Sequence, residues 1–472
     1  MRKTKIICTV GPACETEETL IEMCKAGMNV ARLNFSHGTH EEHQKKMDVI
    51  KNVRTKLALP IPIMLDTKGP EYRIGTFEKG QITLKEGDDF TFTTEDVIGN
   101  HTRVSVNYKH LAENLDVGDT ILVNNGLVIF RVTVIQGGEV RCKVVVGGDI
   151  SNRKSMNFPG KVMKQAFLST QDKEDLLFGI ENDVDYVAAS FVSTGEDVRV
   201  LRDFLNENGG KEIDIIAKIE NRSGVECVED ICKIADGIMI ARGDLGVEIP
   251  AMEVPSIQKY LISKCRMLGT RVITATEMLE SMIHNPRPTR AEVSDVANAV
   301  YDGTSAIMLS GETASGKYPV EAVRSMAETV RYTEGGIDYA RRFKVAEFTI
   351  KNNLDAISHS ACAMAIDVNA SCIVVNSISG RTARMVSRFR CPVDIVGMTM
   401  SEKVWRKLNL SWGVTPVLCC KFETMECMFR TAMENAKKTF QLEKGDNVVL
   451  TGGQLTGDIG NTNLIKVEAV EG

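Results

Sequence analysis

The sequence predicts an α/β protein in three parts: a TIM (β/α)8 barrel, a small β-barrel domain inserted into it, and a C-terminal doubly wound α/β domain. First, short apolar strands alternate with helices three times before residue 70 and five times between residues 166 and 333. Second, residues 70–165 contain short alternating runs, frequent turn signals and almost no helical pattern, which is typical of an all-β unit. Third, strand–helix alternation resumes from residue 350 to residue 472.

The eight predicted barrel strands are short and apolar, which suits parallel strands covered on both faces. We expect the barrel domain to comprise residues 1–69 and 166–340, the inserted domain residues 70–165, and the C-terminal domain residues 350–472. Residues 334–349 are predicted to be a linker, and residues 224–235 a single helix. The barrel strands are expected at Thr4–Val10, Met28–Asn34, Ile61–Asp66, Tyr186–Phe191, Ile213–Ile219, Gly237–Ala241, Val272–Thr276 and Ala306–Leu309.

The composition is that of an ordinary soluble globular protein. It has 472 residues, 43% hydrophobic and 25% charged, and a formal net charge of −6, which argues against nucleic acid as a partner. No apolar run approaches the ~18 residues of a membrane span, and no signal-peptide core follows the N-terminus. The 13 cysteines are odd in number and mostly lie in apolar surroundings, so we expect reduced thiols and a cytoplasmic protein.

Three charged residues mark the carboxyl ends of two successive predicted strands. Lys218 and Glu220 stand two apart at the end of one strand, so their side chains point the same way. Asp244 follows the next strand, and in a parallel βαβ unit both strand ends lie on one side of the sheet. Two carboxylates with room for water suit Mg²⁺, and a lysine beside the ion can stabilise charge on a transferred group. The simpler alternative is a surface ion pair between Lys218 and Glu220.

Polar clusters also follow the second and third predicted strands, at residues 32–38 and 65–73. Parallel α/β sheets and barrels place their sites at these carboxyl ends. We therefore expect both clusters to lie on the same rim as Lys218, Glu220 and Asp244.

The motifs resemble those of the pyruvate kinase family, most closely the bacterial type. They run in order through nearly the whole chain: KTKIICTVGP, ARLNFSHG, LDTKGPEYR, AKIEN, ADGIMIARGDLGVEIP, ITATEMLESMIHNPRPTR, DGTSAIMLSGETASGKYPVEAV, SGRTAR and NTNLIKV. The resemblance implies phosphoryl transfer from phosphoenolpyruvate to ADP, giving pyruvate and ATP. It also implies Mg²⁺ (or Mn²⁺) and K⁺ as cofactors and a homotetramer as the assembly.

The resemblance also implies roles for individual residues. Lys218 would stabilise the phosphoryl group in flight, and Glu220 and Asp244 would bind Mg²⁺. Thr276 would help to protonate the enolate, and Lys154 would act on the nucleotide from an inserted domain that works as a lid. The remaining residues are implied to hold the phosphates (Arg32 and Arg73), the substrate carboxylate (the amides of Gly243 and Asp244) and the nucleotide (Asn34, His37, Arg73 and Lys154).

The family also uses a monovalent cation. Its oxygen ligands are matched here by Asn34, Ser36, Asp66 and the carbonyl of Thr67. In the family an acidic residue at the position of Glu71 accompanies K⁺ dependence, whereas lysine accompanies independence. The resemblance therefore implies activation by K⁺.

A Ser/Gly/Thr turn at a helix start in the C-terminal domain resembles the family's effector loop, and such a turn suits a phosphate. The ligand would be a phosphosugar or an AMP-type nucleotide. Residues 452–457 are expected to help close this pocket. The loop residues implied to bind the effector are Ser377, Ser379, Gly380, Arg381 and Thr382.

Some departures and alternatives stand beside this interpretation. Glu277 occupies a position where glutamine is expected, and strand alternation predicts that it faces away from Thr276. Another Mg²⁺-dependent phosphoenolpyruvate enzyme, a lyase or mutase, remains an alternative, although the inserted β domain and the paired arginines disfavour it. A non-catalytic relative would be expected to lose Lys218, Glu220 or Asp244, and all three are present.

Overall fold

The computed structural model describes residues 1–161, 163, 166–453 and 462–471. The chain begins with three strands that alternate with two helices. Helix α2 starts with a capping box in which the Thr39 side chain and the Glu42 side chain each accept a backbone N–H of the other residue. The elements are β1 (Lys5–Thr9), α1 (Glu17–Ala26), β2 (Val30–Asn34), α2 (His40–Leu57) and β3 (Ile63–Asp66).

The inserted segment forms a seven-stranded sheet in the order β4-β12-β8-β9-β10-β6-β7 and a two-stranded sheet, β11-β5. A bridge between Ile74 and Val106, just beyond β4 and β7, joins the two edges of the larger sheet. Phe90, Phe92 and Phe130 pack together in its core. The elements are β4 (Tyr72–Arg73), β5 (Gln81–Leu84), β6 (Asp89–Thr93), β7 (Arg103–Ser105), α3 (Leu111–Asn114), β8 (Thr120–Val123), β9 (Val128–Gln136), β10 (Glu139–Val146), β11 (Gly148–Ser151) and β12 (Ser155–Asn157).

The chain then returns to alternating helices and strands. They are α4 (Thr170–Glu181), β13 (Tyr186–Ala189), α5 (Gly195–Glu207), β14 (Asp214–Ile219), α6 (Arg222–Glu226), α7 (Val228–Cys232), β15 (Gly237–Ala241), α8 (Arg242–Glu248), α9 (Val254–Leu268), β16 (Arg271–Ala275), α10 (Arg290–Asp302), β17 (Ala306–Leu309), α11 (Gly311–Ala314), α12 (Pro319–Gly335) and α13 (Tyr339–Val345). Eight parallel strands close into a barrel in the order β1-β17-β16-β15-β14-β13-β3-β2. The predicted (β/α)8 barrel is thus confirmed.

Two segments differ from the sequence expectation. Residues 224–235 do not form one helix, because the helix begins earlier, at the Asn221 cap, and breaks at Cys227 into α6 and α7. Residues 334–349 are not all extended linker but contain α13, which Asp338 caps. Helix α13 forms because Tyr339 and Phe343, four residues apart, bury one face.

The C-terminal part is a five-stranded sheet in the order β20-β19-β18-β21-β22, parallel except for β22. Helices cover it as expected for a doubly wound domain. The elements are α14 (Asn353–Asp367), β18 (Cys372–Asn376), α15 (Arg381–Ser387), β19 (Asp394–Thr399), α16 (Glu402–Leu408), β20 (Val414–Leu418), α17 (Met425–Phe440), β21 (Asn447–Gly453) and β22 (Thr462–Ala469).

The C-terminal sheet and the barrel meet at the amino ends of the barrel strands. Leu410, just after α16, is fully buried in the cluster of side chains that fills the barrel interior, together with Tyr186 and Ile216. The guanidinium of Arg406 lies 2.7 Å from the buried carboxylate of Asp185, just before β13. This contact leaves the carboxyl ends of the strands free to form a site. Among the helices of the described residues, none is both long and apolar enough to cross a membrane.

Candidate active site

Lys218 lies at the carboxyl rim of the barrel between two buried carboxylates. Its Nζ is 2.9 Å from Glu220 Oε1 and 3.2 Å from Asp66 Oδ1, and it donates a hydrogen bond of 2.7 Å to Ser190 Oγ. Burial lowers the pKa of Lys218, but the charges of Asp66 and Glu220 outweigh that effect and raise it above its usual value. The lysine is therefore a permanent cation at neutral pH.

Arg32 holds the other side of Asp66. Arg32 Nε lies 2.6 Å from Asp66 Oδ2, and Arg32 Nη1 donates a 2.8 Å hydrogen bond to Thr9 Oγ1. Burial raises the pKa of Asp66, yet the charges of Arg32 and Lys218 hold it below its usual range. One buried carboxylate thus fixes two cations side by side, which suits the binding of an anion such as a phosphate.

Glu220 is buried, and the groups around its carboxylate act on its pKa in opposite directions. Burial, opposed by Lys218 and reinforced by the charge of Asp244, raises the pKa of Glu220 to about 7. The Phe191 N–H donates a 2.6 Å hydrogen bond to Oε2, but Oε1 has no hydrogen bond of good geometry within the described residues. A buried carboxylate whose Oε1 is paired only with Lys218 retains lone pairs for a hard divalent cation. This arrangement is not the exposed ion pair that the simpler interpretation predicted.

Asp244 lies in the first turn of α8, exposed at the rim. Within the part of the chain that the structure describes, its carboxylate makes no hydrogen bond or ion pair, although its charge acts on Glu220 and Lys218. Two carboxylates therefore face one region, with Asp244 open to solvent. Among the described residues, no three or more His, Cys, Asp or Glu side chains are grouped so that they could hold a metal by themselves. A cation here would take its remaining ligands from water or substrate.

Thr276 follows the last residue of β16 and is joined to the Asp244 turn. The Gly243 N–H, which was expected to face the substrate carboxylate, donates a 2.8 Å hydrogen bond to Thr276 Oγ1. Thr276 and Glu277 both have positive φ, +66° and +54°. Because the strand ends at Ala275, the alternation used to orient Glu277 does not extend to it. Glu277 is exposed at the rim.

The four expected K⁺ ligands lie at the ends of two neighbouring strands: Asn34 and Asp66 are the last residues of β2 and β3, and Ser36 and Thr67 follow them. Asn34 and Asp66 are paired across β2 and β3, and the Ser36 N–H donates a 3.1 Å hydrogen bond to Asn34 Oδ1. The Thr67 carbonyl accepts a 2.6 Å hydrogen bond from Ser190 Oγ. The structure therefore brings these oxygen donors to one edge of the site, beside the Arg32–Asp66 pair.

A cavity of about 790 Å³ opens beside Arg32, over the carboxyl ends of β1, β2 and β17. It is lined on one side by Arg32, Asn34 and His37, three of the residues implied to contact substrate phosphate or nucleotide. Its wall also carries Lys45 and Lys46 of α2, with Glu15 and Glu42 beside them, and Lys46 lies 3.9 Å from Glu15. Its size is in the range of small-molecule and cofactor sites.

Arg73 and Lys154 lie apart from this cluster, in the inserted domain: Arg73 ends β4, and Lys154 directly precedes β12. Arg73 pairs with Ser155 across β4 and β12, and the Ile74 N–H donates to the Lys154 carbonyl. Arg73 forms an ion pair with Glu71, which lies 3.8 Å from Lys68. No hydrogen bond or ion pair among the described residues joins Arg73 or Lys154 to the Lys218 cluster.

Comparisons with known proteins agree with this geometry. Residues 1–323 match the family model "Pyruvate kinase, barrel domain", and residues 355–468 match "Pyruvate kinase, alpha/beta domain". The chain belongs to the pyruvate kinase family. It is similar to the pyruvate kinases of Clostridium acetobutylicum (46% identical, 100% of both chains) and Geobacillus stearothermophilus (45% identical, 99% of this chain and 80% of the relative). A pyruvate kinase structure from Cryptosporidium parvum superposes with a TM-score of 0.95 at 39% identity, over 99% of this chain and 96% of that one.

As a member of the pyruvate kinase family, the chain is a phosphotransferase. Its expected effector loop lies between β18 and α15. Gly380 has φ +74°, and Ser379 and Arg381 beside it are exposed. The buried Thr382 hydroxyl lies 2.6 Å from that of Thr462 on β22. Of residues 452–457, those from 454 to 457 lie outside the described residues.

Three residues of this pyruvate kinase family member were missed by sequence reasoning. Ser190 contacts Lys218 and the Thr67 carbonyl, Thr9 accepts from Arg32, and Arg242 binds the backbone at Thr276. Ser190 and Thr9 lie near the carboxyl ends of barrel strands. That position was the available signal, because polar side chains there face the rim.

Proposed function

We propose that the protein transfers the phosphoryl group of phosphoenolpyruvate to ADP, giving pyruvate and ATP. The single observation that carries this proposal is the pair of cations held by Asp66: Lys218, which is buried and also paired with Glu220, and Arg32, which lines a cavity of about 790 Å³. In the reaction the bond between phosphorus and the enol oxygen breaks, and a bond from phosphorus to an oxygen of the ADP β-phosphate forms. The remaining enolate takes a proton at carbon to become pyruvate.

Glu220 and Asp244 would hold Mg²⁺ or Mn²⁺. The buried Glu220 carboxylate, whose Oε1 is paired only with Lys218, and the solvent-facing Asp244 carboxylate support this assignment. When bound, the ion would supply positive charge to the substrate oxygens. The raised pKa of Glu220 belongs to the metal-free site, where Lys218 alone compensates its charge.

Lys218 and Arg32 would neutralise the transferred phosphoryl group. Both are held by Asp66, which prevents their mutual repulsion from separating them. Preorganised cations in a water-poor site stabilise developing charge without reorganisation at the moment of reaction. Arg73 and Lys154 would approach from the inserted domain, which we propose acts as a lid that excludes water.

Thr276 would lie beside the enolate and help to protonate it, through water. Its hydroxyl is held by Gly243 on one side and donates to the Ala275 carbonyl on the other. Binding of the substrate carboxylate at the Gly243 and Asp244 amides would require the Gly243 N–H to leave Thr276. That exchange would leave the Thr276 oxygen free to accept a hydrogen bond from water, while its own hydrogen is donated to the Ala275 carbonyl.

The nucleotide would occupy the cavity beside Arg32, with Asn34 and His37 as further contacts. K⁺ would be held by Asn34, Ser36, Asp66 and the Thr67 carbonyl, whose shared edge supports this assignment. A phosphosugar or AMP-type effector would bind at Ser377, Ser379, Gly380, Arg381 and Thr382. We further propose a homotetramer and a cytoplasmic location.

The test is the release of pyruvate from phosphoenolpyruvate in the presence of Mg²⁺ and K⁺, with and without ADP. Pyruvate and ATP formed in equal amounts, and only with ADP, would support the kinase. A lyase or mutase would instead consume phosphoenolpyruvate without ADP. No turnover under any condition would favour a non-catalytic relative.

A further inference from the structure

Arg242 is a buried arginine whose guanidinium binds backbone carbonyls of the rim. Its Nη2 donates hydrogen bonds to two successive backbone carbonyls, that of Thr276 at 2.7 Å and that of Glu277 at 2.9 Å. Its Nε also donates to the Thr276 carbonyl, at 3.2 Å. One guanidinium therefore grips the turn that follows β16.

That turn is strained. Thr276 and Glu277 are consecutive non-glycine residues with φ of +66° and +54°. Left-handed backbone costs an L-residue roughly 1–2 kcal/mol and persists only where surrounding contacts impose it. Arg242 provides those contacts, because its donors meet the carbonyls of both strained residues.

Arg242 is itself held from behind. Its Nη1 and Nη2 lie 2.8 Å and 2.7 Å from the two carboxylate oxygens of Asp295 on α10, and Nη1 donates to Gln258 on α9 at 3.3 Å. The Arg242 side chain is only 9% exposed and Gln258 is buried, while Asp295 reaches the surface. The guanidinium thus connects helices α9 and α10 to the Thr276–Glu277 turn at the rim.

Arg242 also connects two parts of the site, the start of α8 and the turn after β16. Arg242 is the first residue of α8, directly before Gly243, whose N–H binds the Thr276 hydroxyl, and Asp244 follows. The side chain of Arg242 and the backbone of its neighbour therefore hold opposite sides of Thr276. Movement of one would displace the other.

We propose that Arg242 is a positioning residue that holds the Thr276–Glu277 turn in its left-handed form, so that the Thr276 hydroxyl stays aligned for proton delivery to the enolate. This inference rests on the proposed function of Thr276. It assigns to Arg242 no contact with substrate.

The experiment compares Arg242→Gln with Arg202→Gln as a matched control. Arg202 also donates to a carbonyl and a carboxylate, those of Ile213 and Asp236, but at the opposite end of the barrel. We expect Arg242→Gln to lower kcat at least 10-fold with KM for phosphoenolpyruvate changed less than 3-fold, and to increase the solvent deuterium isotope effect on kcat. Arg202→Gln should change neither kcat nor the isotope effect by more than 2-fold.

A glycine at position 277 provides the decisive arm, because glycine adopts positive φ without penalty. Glu277 is exposed, so Glu277→Gly alone should retain activity within 2-fold. In the Arg242→Gln background it should restore kcat at least 3-fold. An unchanged kcat in Arg242→Gln, or no restoration by Glu277→Gly, would overturn the inference.

Exchange of pyruvate methyl protons with solvent separates this inference from the proposed function, because exchange needs no phosphoryl transfer. If the wild-type protein exchanges these protons but forms no ATP, the kinase proposal fails alone. Exchange slowed at least 10-fold by Arg242→Gln, and recovered by Glu277→Gly, would still support the role of Arg242. Exchange equal in Arg242→Gln and Arg202→Gln would refute it.

Discussion

Lys407 Nζ lies 2.8 Å from Asp214 Oδ1, which ties the end of α16 in the C-terminal domain to the first residue of β14. Lys218 lies four residues further along the same strand. Asp214 is also paired with Arg271 of β16 and lies 3.6 Å from Arg384 of α15. A single barrel strand therefore contacts the proposed effector domain at one end and carries the proposed catalytic lysine at the other.

This relationship predicts that Lys407→Met uncouples the two ends of β14. Fold activation by an effector should fall at least 3-fold, while the rate without effector should change less than 2-fold. The measurement is pyruvate formation with fructose 1,6-bisphosphate, ribose 5-phosphate and AMP tested singly. Lys403→Met is the matched control, because Lys403 on the same helix pairs with Asp183, outside the barrel strands. Equal activation in both variants would contradict the prediction.

Replacement of Lys218 by methionine should remove phosphoryl transfer while leaving proton exchange of pyruvate measurable. Loss of a preorganised positive charge costs at least ~100-fold in kcat. Lys233→Met, at the residue that follows α7, removes an exposed lysine paired with Asp230 and should have no effect. Thermal unfolding would check that both variants fold. A Lys218→Met protein with most of its kinase rate would exclude the assigned role.

K⁺ should activate the enzyme, and Glu71→Lys should weaken that requirement. Glu71 Oε2 is buried without a hydrogen-bond partner among the described residues, beside Lys68 and the ion pair with Arg73. A lysine there would supply positive charge that otherwise comes from the cation. The measurement is the ratio of rates in K⁺ and in tetramethylammonium buffer for both proteins. A wild-type ratio of one would disprove K⁺ activation.

Gly380→Ala should destabilise the C-terminal domain more than Gly445→Ala does. Both glycines have positive φ, but a Cβ at Gly380 would lie 2.9 Å from Val404 and 3.1 Å from Leu408, whereas Gly445 has open space. The backbone penalty of roughly 1 kcal/mol is common to both. The clash with α16 should add at least about 1 kcal/mol at Gly380. Urea unfolding of the two variants measures the difference in stability. Equal losses of stability would show that α16 accommodates the added Cβ without cost.

Lys5 makes stability depend on pH in the alkaline range. Burial lowers the pKa of Lys5 to about 7, and its Nζ donates to the Val414 carbonyl at 2.7 Å. Between pH 7 and the usual lysine pKa, the unfolded chain holds a proton that the folded chain has released. This contribution to the free energy of unfolding therefore rises with pH, by about 1.4 kcal/mol per pH unit. It is smallest below pH 7, where both forms are protonated.

Lys5→Met should abolish this contribution. The stability of the variant relative to wild type should be greatest at pH 7 and should decline towards pH 9, as measured by urea unfolding. Lys56→Met is a suitable control because Lys56 lies on the surface of α2 and pairs with Glu17. A parallel pH dependence in wild type and Lys5→Met would argue against a neutral Lys5 in the folded protein.

Periodicity and turn chemistry predicted the strands and the barrel because each barrel strand is buried on both faces and is therefore a continuous apolar run. The rim position of Lys218, Glu220 and Asp244 followed from parallel strand direction alone. Spacing could not predict that Asp66 would hold Arg32 and Lys218 together, because Asp66 is 34 positions from Arg32 and more than a hundred from Lys218. Nor could it predict the turn at Thr276, whose φ is imposed by the distant Arg242.

Leu410 has a consequence for the modularity of the chain. Leu410, which belongs to the C-terminal domain, supplies one side chain of the barrel interior. The carbonyl that accepts a hydrogen bond from Lys5, that of Val414, belongs to the same domain. A fragment ending before α14 would open its amino-terminal mouth to water and lose the burial of a leucine, about 2–3 kcal/mol. The barrel and the C-terminal domain are therefore not interchangeable building blocks, and recombination between relatives would have to exchange Leu410 together with the mouth that receives it.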